Sequence, residues 1–382
     1  MKGHRKIIYL TGFLFSIPIA LTSYINSSYL GKYLSQSYVG IVYIVASLAT
    51  ILSLLYMDKL LTRFGNRKVA TFFSLLLFVA FLFLYFARGE FTILFAFIVH
   101  FIALNFIIAA LDIFMEDFSG RSSIGGFRGL YLTVGNSAWV LAQLISSSII
   151  EKSSYEGIYL LAGLFMILVA VIFSRLLRDF KDPQYRKIPV FQTFEFFAKN
   201  KHVSKIYLIN LILKFFFAWM IIYTPIYLHE YIGFGWDKIG IIFTFMLLPF
   251  VILTYPLGKL SDRIGEKKML IFGFFICAIF TLIIPLVGLK EIWLWAALLF
   301  ATRVGAATIE VMSESYFFKS VPEEDAEELA FFRNTAPLSF ILAPLLATPL
   351  LLVLPAFQYL FFVLGAVLLV GLWITLRLRD VR

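Results

Sequence analysis

Residues 72–86 read FFSLLLFVAFLFLYF, fifteen positions in which Ser74 and Tyr85 carry the only polar side-chain atoms. The run holds no charge and lacks the strict alternation of a half-buried strand. Inside hydrocarbon a segment of this kind must be helical, because only a helix satisfies every backbone polar group within itself. Extended to 69–87, it reaches the roughly 20 residues needed to cross about 30 Å of bilayer core.

The same reading applies outward in both directions. Twelve apolar segments of spanning length fall at about 7–26, 37–57, 69–87, 91–114, 128–150, 157–177, 205–228, 238–257, 269–288, 291–315, 333–354 and 356–376. Of the 382 residues 61% are hydrophobic and only 15% charged, where a soluble domain carries roughly 25% charge. This excludes a soluble enzyme, a disordered chain and a collagen-like fibre. An outer-membrane barrel would alternate apolar and polar residues over about ten positions, and these runs do not. The expectation is an all-α integral membrane protein of twelve transmembrane helices. Lys2, Arg5 and Lys6 precede the first run as in a signal peptide. That run is long for one, however, and no small-residue cleavage site follows, so it is expected to stay as the first span.

The net charge of +10 has a membrane explanation. With the N-terminus placed inside, the inner segments hold 26 Lys and Arg and the outer loops 5. That split follows the positive-inside rule and puts both termini in the cytoplasm of a multi-pass cell-membrane protein. No basic stripe with interleaved aromatics lies outside the spans, so nucleic acid is not an expected partner. The longest polar stretch, 178–204, divides the chain into an N-terminal six-helix bundle, 1–177, and a C-terminal one, 205–382. It reads as a cytoplasmic linker, and Phe191–Lys199 within it suits an interfacial helix.

The two halves repeat each other. DKLLTRFGNRK, residues 58–68, and GKLSDRIGEKK, residues 258–268, share Lys59, Leu60, Arg63, Gly65 and Lys68 at an offset of 200. At an offset of 198, Asn105, Ala109, Asp112 and Glu116 match Arg303, Ala307, Glu310 and Glu314. Each set of four falls within about 60° of one helix face, and a polar stripe in a membrane helix faces other helices or a water-filled cavity. The next span then opens with an arginine in each half, Arg128 and Arg333.

Parallel six-span repeats mark one transporter architecture. The segment GKLSDRIGEKK also resembles the signature loop of the major facilitator superfamily: a glycine, an Asp-Arg pair, then x-Gly and basic residues. The likeness extends to twelve spans, a central basic linker and a loop copy in each half. The first copy has Asp58 in place of the glycine and Thr62 in place of the aspartate. The resemblance implies two pseudo-symmetric bundles around a central cavity lined by spans one, four, seven and ten. It also implies a cytoplasmic gate. The residues expected to form it are Gly258, Asp262, Arg263 and Gly265 with Glu314, Glu310 and Arg128, and Arg63 with Asp112 and Glu116 in the first half; Arg333 is the repeat mate of Arg128. On the residues alone, Gly258 permits a close approach and Asp262 suits a helix N-terminus. The bland alternative is that these charges only set topology.

A charge at the bilayer centre costs about 2.5–3.5 kcal/mol on insertion scales. Lys214 and Arg303 lie inside spans and are the expected substrate or ion-coupling residues, with Glu310, His100 and Asn105. Lys214 and Glu310 sit at similar depth and are expected to pair, and Glu310 is a candidate proton carrier. Arg303, left near the midplane without an obvious partner, presents a bidentate fork suited to carboxylate or phosphate. Interhelical hydrogen bonding is the plainer reading for most of Asn26, Asn105, Asn136, Gln143 and Asn210. Cys277 is the single cysteine, so neither an intrachain disulfide nor a cysteine metal cluster can form. No metal site, cofactor, nucleotide loop or catalytic triad is expected, and the chain does not read as an enzyme. A membrane enzyme would need clustered His or Asp, and the chain has four His.

These observations lead to a secondary active transporter, expected as a monomer, moving a small solute by alternating access. Proton coupling and an anionic substrate are the finer expectations. The rival reading is a non-transporting sensor or assembly protein on the same fold.

Overall fold

The computed structural model describes residues 2–119, 124–183, 185, 200–320 and 332–378. Among them every regular element is helical, as the backbone of an apolar chain in hydrocarbon requires. The first half runs through α1 Lys2–Ser23, α2 Asn26–Gly31, α3 Gln36–Leu54, α4 Met57–Phe64, α5 Asn66–Phe86, α6 Glu90–Ser119, α7 Ile124–Lys152 and α8 Tyr155–Val171. The second half runs through α9 Lys201–Ile226, α10 Trp236–Ile252, α11 Thr254–Ile264, α12 Glu266–Ile283, α13 Ile292–Ser320, α14 Thr335–Val353 and α15 Leu360–Leu376.

Among the described residues, ten helices are long and apolar enough to cross a membrane, or eleven if the pair Tyr38–Leu54 and Met57–Phe64, bent by 48°, is one span. Helix α7 stands where the sequence places the fifth span, and part of its side chains lie outside the described residues. Between 22% and 61% of each of these spans' most apolar stretch is buried inside the protein. The rest presents residues such as Leu52, Phe72, Phe83 and Phe86 outward, a surface that only lipid can cover without cost.

Two compact units emerge, Met1–Lys187 with Gly235–Gly240, and Ile188–Phe234 with Ile241–Arg382. In the first, α5 packs on α6 and α8, and α1 on α7 and α8. Phe73 stacks on Phe106 with ring centroids 4.0 Å apart where α5 meets α6. In the second, α12 packs on α13 and α15, and α9 on α13, α14 and α15. Many hydroxyls inside the helices bond to carbonyls one turn back, as Thr50 does to Ala46 and Ser74 to Ala70, and so satisfy themselves within the apolar interior.

The repeated segments 58–68 and 258–268 are not loops. Most of each is helix, α4 and α11, carrying Asp58, Lys59 and Arg63 or Lys259, Asp262 and Arg263. Each ends at a glycine of positive φ, Gly65 at 80° and Gly265 at 91°. That region is costly for any residue with a Cβ. The shared glycine therefore marks a reversal that opens α5 and α12 at matching points.

Candidate functional site

Helix α9 begins at Asn200, whose side chain accepts from the backbone N–H of His202 and Val203 at 3.3 and 3.5 Å. Such a cap satisfies donors that the first turn leaves open. One face of α9 carries Asn210, Lys214 and Phe217. Asn210 Nδ2 donates to Thr335 Oγ1 at 2.8 Å and ties α9 to α14. One turn on, Lys214 Nζ lies 2.7 Å from Glu310 Oε1 on α13. Both side chains keep about a quarter of their surface open, so the pair is sheltered but still reachable. Glu314, a further turn along α13, also acts electrostatically on Lys214.

Arg303 sits two turns from Glu310 on the same helix and is 1% exposed. Neither of its terminal nitrogens has a hydrogen-bond partner among the described residues. Its guanidinium carbon lies 4.8 Å from the centre of the Phe216 ring and 5.9 Å from that of Phe217. Desolvated cation–π contacts, about 2 kcal/mol for a well-placed one, offset part or all of the cost of burying the charge. They provide no acceptor for the N–H groups of the fork. The result is a buried cation whose donors are held ready and unused.

The other sequence-derived residues are distributed as follows. His100 is 2% exposed in the first unit, among Phe81, Phe97 and Phe101 at centroid distances of 5.2–5.8 Å. Asn105 Nδ2 donates one hydrogen bond to Phe101 O on its own helix. Asn26 accepts from Tyr159 OH at 2.9 Å, and Gln143 donates to Ala20 O at 3.2 Å. Cys277 is buried as a free thiol.

Among the described residues, several of the expected gate contacts are not made in this conformation. Arg63 is exposed, lies over the Phe64 ring at 5.2 Å, and makes no ion pair among the described residues. Arg263 is likewise exposed and unpaired there, and Glu310, one of its expected partners, is taken by Lys214. Both arginines sit in the last turn of an amphipathic helix, on its outward face, which explains why neither reaches inward. Gly258 is not at a close approach either: a Cβ placed there meets no heavy atom within 4 Å. Asp112, Glu314 and Arg333 are half-buried. The side chains of Glu116, Arg128 and Asp262 lie outside the described residues, as do most of the linker and the acidic run 322–328.

What anchors the two glycine turns is different and was missed from sequence. Glu266, directly after Gly265, is buried and pairs with Lys319, and it accepts from Ser315 Oγ at 3.1 Å. Its repeat mate Asn66 is also buried; Asn66 Nδ2 donates to Ala110 O at 2.9 Å, and Asp182 Oδ1 accepts from Asn66 N at 2.6 Å. The carboxylate of Asp182 therefore caps the start of α5, where the helix dipole favours negative charge. The position after each glycine was the available signal, but Asn against Glu does not score as a match.

The chain matches the family model described as Major Facilitator Superfamily over residues 8–239 and again over 225–382. It belongs to that superfamily. No curated protein matches it. Superfamily proteins are membrane transporters rather than enzymes, and this chain is accordingly an integral membrane transporter of small solutes, embedded in a lipid bilayer.

Proposed function

We propose that this superfamily member is a secondary active transporter of a small anionic solute, that Arg303 binds the anionic group, and that Glu310 carries a coupled proton. The observation that carries the reading is Arg303, buried with both terminal nitrogens unpartnered. Its repeat mate is the neutral Asn105, so the pseudo-symmetric fold does not require a charge at that position. The absence of a nucleotide-binding loop from the sequence supports an ion gradient, here that of the coupled proton, as the drive. Alternating access then moves the solute, because binding energy that differs between two conformations shifts their populations. The test is uptake by proteoliposomes offered anionic, neutral and cationic solutes. Uptake restricted to cations, or no uptake of any solute, would reject it.

Orientation and gating extend the reading. Both termini are placed in the cytoplasm of the cell membrane, from the 26-to-5 charge split. A reporter active only outside the cell, fused after Arg382, is expected to stay silent; a strong signal would require an odd number of spans. We further propose that Asp262 and Arg263 act at a cytoplasmic gate, a reading supported by the signature-like segment GKLSDRIGEKK. Asp262→Asn and Arg263→Ala are expected to slow uptake several-fold with normal membrane insertion, on the proposal that each side chain forms its contact in the alternate conformation only. Unchanged uptake, with unchanged spin-label distances across the protein, would leave these charges a topological role alone.

A further inference from the structure

Two cations lie against one phenyl ring in the second unit, and only one of them is neutralised. Lys214 Nζ is 5.2 Å and Arg303 Cζ 5.9 Å from the centre of the Phe217 ring. Glu310 holds Lys214 at 2.7 Å. The guanidinium of Arg303 has no such partner among the described residues. With the ion pair closed, the local charge available to a solute is therefore a single positive fork, bordered by Phe216 and Phe217. We infer that the Lys214–Glu310 pair sets the charge of the solute: the site takes a monoanion with an apolar or aromatic body, and Lys214 is a second anion anchor held in reserve by Glu310. Removing the charge of Glu310 converts a one-anchor site into a two-anchor site, which selects a dianion short enough to bridge one phenyl ring. This inference rests on the anionic reading of Arg303.

The physical basis is the difference between cancelled and uncancelled charge at short range. A carboxylate in contact with Lys214 occupies the donors that a second solute carboxylate would need, and a dianion would also meet the like charge of Glu310. With a neutral amide at position 310, both obstacles disappear and a charge-assisted bond becomes available. Glu314 also acts on Lys214, so it is removed in a second variant.

The experiment uses the purified full-length protein and two probes, benzoate and terephthalate, which share a ring and differ by one carboxylate. Their affinities are compared calorimetrically in wild type, Glu310→Gln, Glu310→Gln/Glu314→Gln, Lys214→Met/Glu310→Gln and Arg303→Gln. Wild type is expected to prefer benzoate. Glu310→Gln, or the double glutamine variant where Glu314 takes over Lys214, is expected to shift the ratio toward terephthalate by about tenfold, the worth of one charged hydrogen bond. Adding Lys214→Met is expected to reverse that shift. A ratio unmoved in both glutamine variants overturns the charge-selecting role while Arg303→Gln still shows lost binding of both probes. If neither probe binds wild type, or Arg303→Gln binds both as wild type does, the anionic reading itself fails and this inference with it.

Discussion

Replacing Arg303 by glutamine is expected to weaken anion binding and uptake by roughly one to two orders of magnitude, the worth of a charged hydrogen bond of about 1.5–3 kcal/mol. The same substitution is expected to leave the melting temperature of the ligand-free protein unchanged or raised. The two effects have opposite sign for one reason. Arg303 is 1% exposed with both terminal nitrogens unpartnered, and an uncompensated buried charge opposes folding. A neutral amide removes that cost, and it also removes the fork that meets a carboxylate. Arg303→Lys keeps the charge but presents a single ammonium in place of a planar pair of donors, so its affinity should fall between the two. Ligand-dependent melting curves of the three proteins decide the matter. A lower melting temperature in Arg303→Gln with unaltered affinity would make Arg303 a structural residue bonded within the bundle.

The parts of this protein that were legible in sequence are those that depend on local pattern. Hydropathy alone separates FFSLLLFVAFLFLYF from everything a soluble chain could do with it, and the spans follow. The repeat is legible because Gly65 and Gly265 must both adopt positive φ, which fixes residue type at the same place twice. The approach of Lys214 to Glu310 could be anticipated from depth, since each position counts from its own helix end. What was not legible depends on helix phase and on partners far away in the chain. Glu266 stands in a basic stretch that reads as an exposed loop, yet the turn at Gly265 swings it inward to Lys319, 53 positions on. Asp182 reads as linker but reaches Asn66, 116 positions back. Phe216 and Phe217 are two of 44 phenylalanines, and nothing in composition marks them as the rings against Arg303. Among the described residues Arg63 and Arg263 point outward instead, for the converse reason. Taken as loop residues they were free to reach any acid, whereas as residues of α4 and α11 they have a fixed direction.

Helical phase also sets up a contrast between two glycines that sequence treats alike. Gly305 lies two residues beyond Arg303, so at about 100° per residue it points to nearly the opposite face of α13. That face meets α12 at backbone distance: a Cβ at Gly305 would come within 2.6 Å of Cys277 N and 2.8 Å of Cys277 Cβ. Gly273 mirrors it, with a Cβ there 3.0 Å from Gly305 O. The small residues Gly273 and Cys277, four apart on α12, thus let the two helices approach in the way that packs membrane helices without a hydrophobic drive. The first unit fills the equivalent crossing with the stacked rings of Phe73 and Phe106 instead. Gly305→Ala is therefore expected to destabilise by about 3 kcal/mol, the upper end for overpacking, because the obstructing atoms are backbone and cannot rotate away. Displacing α13 from α12 also pushes Arg303 toward α9, so ligand affinity should fall with stability. Gly258→Ala is expected to do the reverse. Position 258 is helical, a Cβ there meets nothing within 4 Å, and alanine gains up to about 1 kcal/mol over glycine in a helix interior. Melting temperatures of the two single variants, measured side by side in one detergent, should therefore move in opposite directions. Equal shifts, or a Gly305→Ala protein as stable as wild type, would show that α12 and α13 do not touch at this point and that Arg303 owes its position to something else.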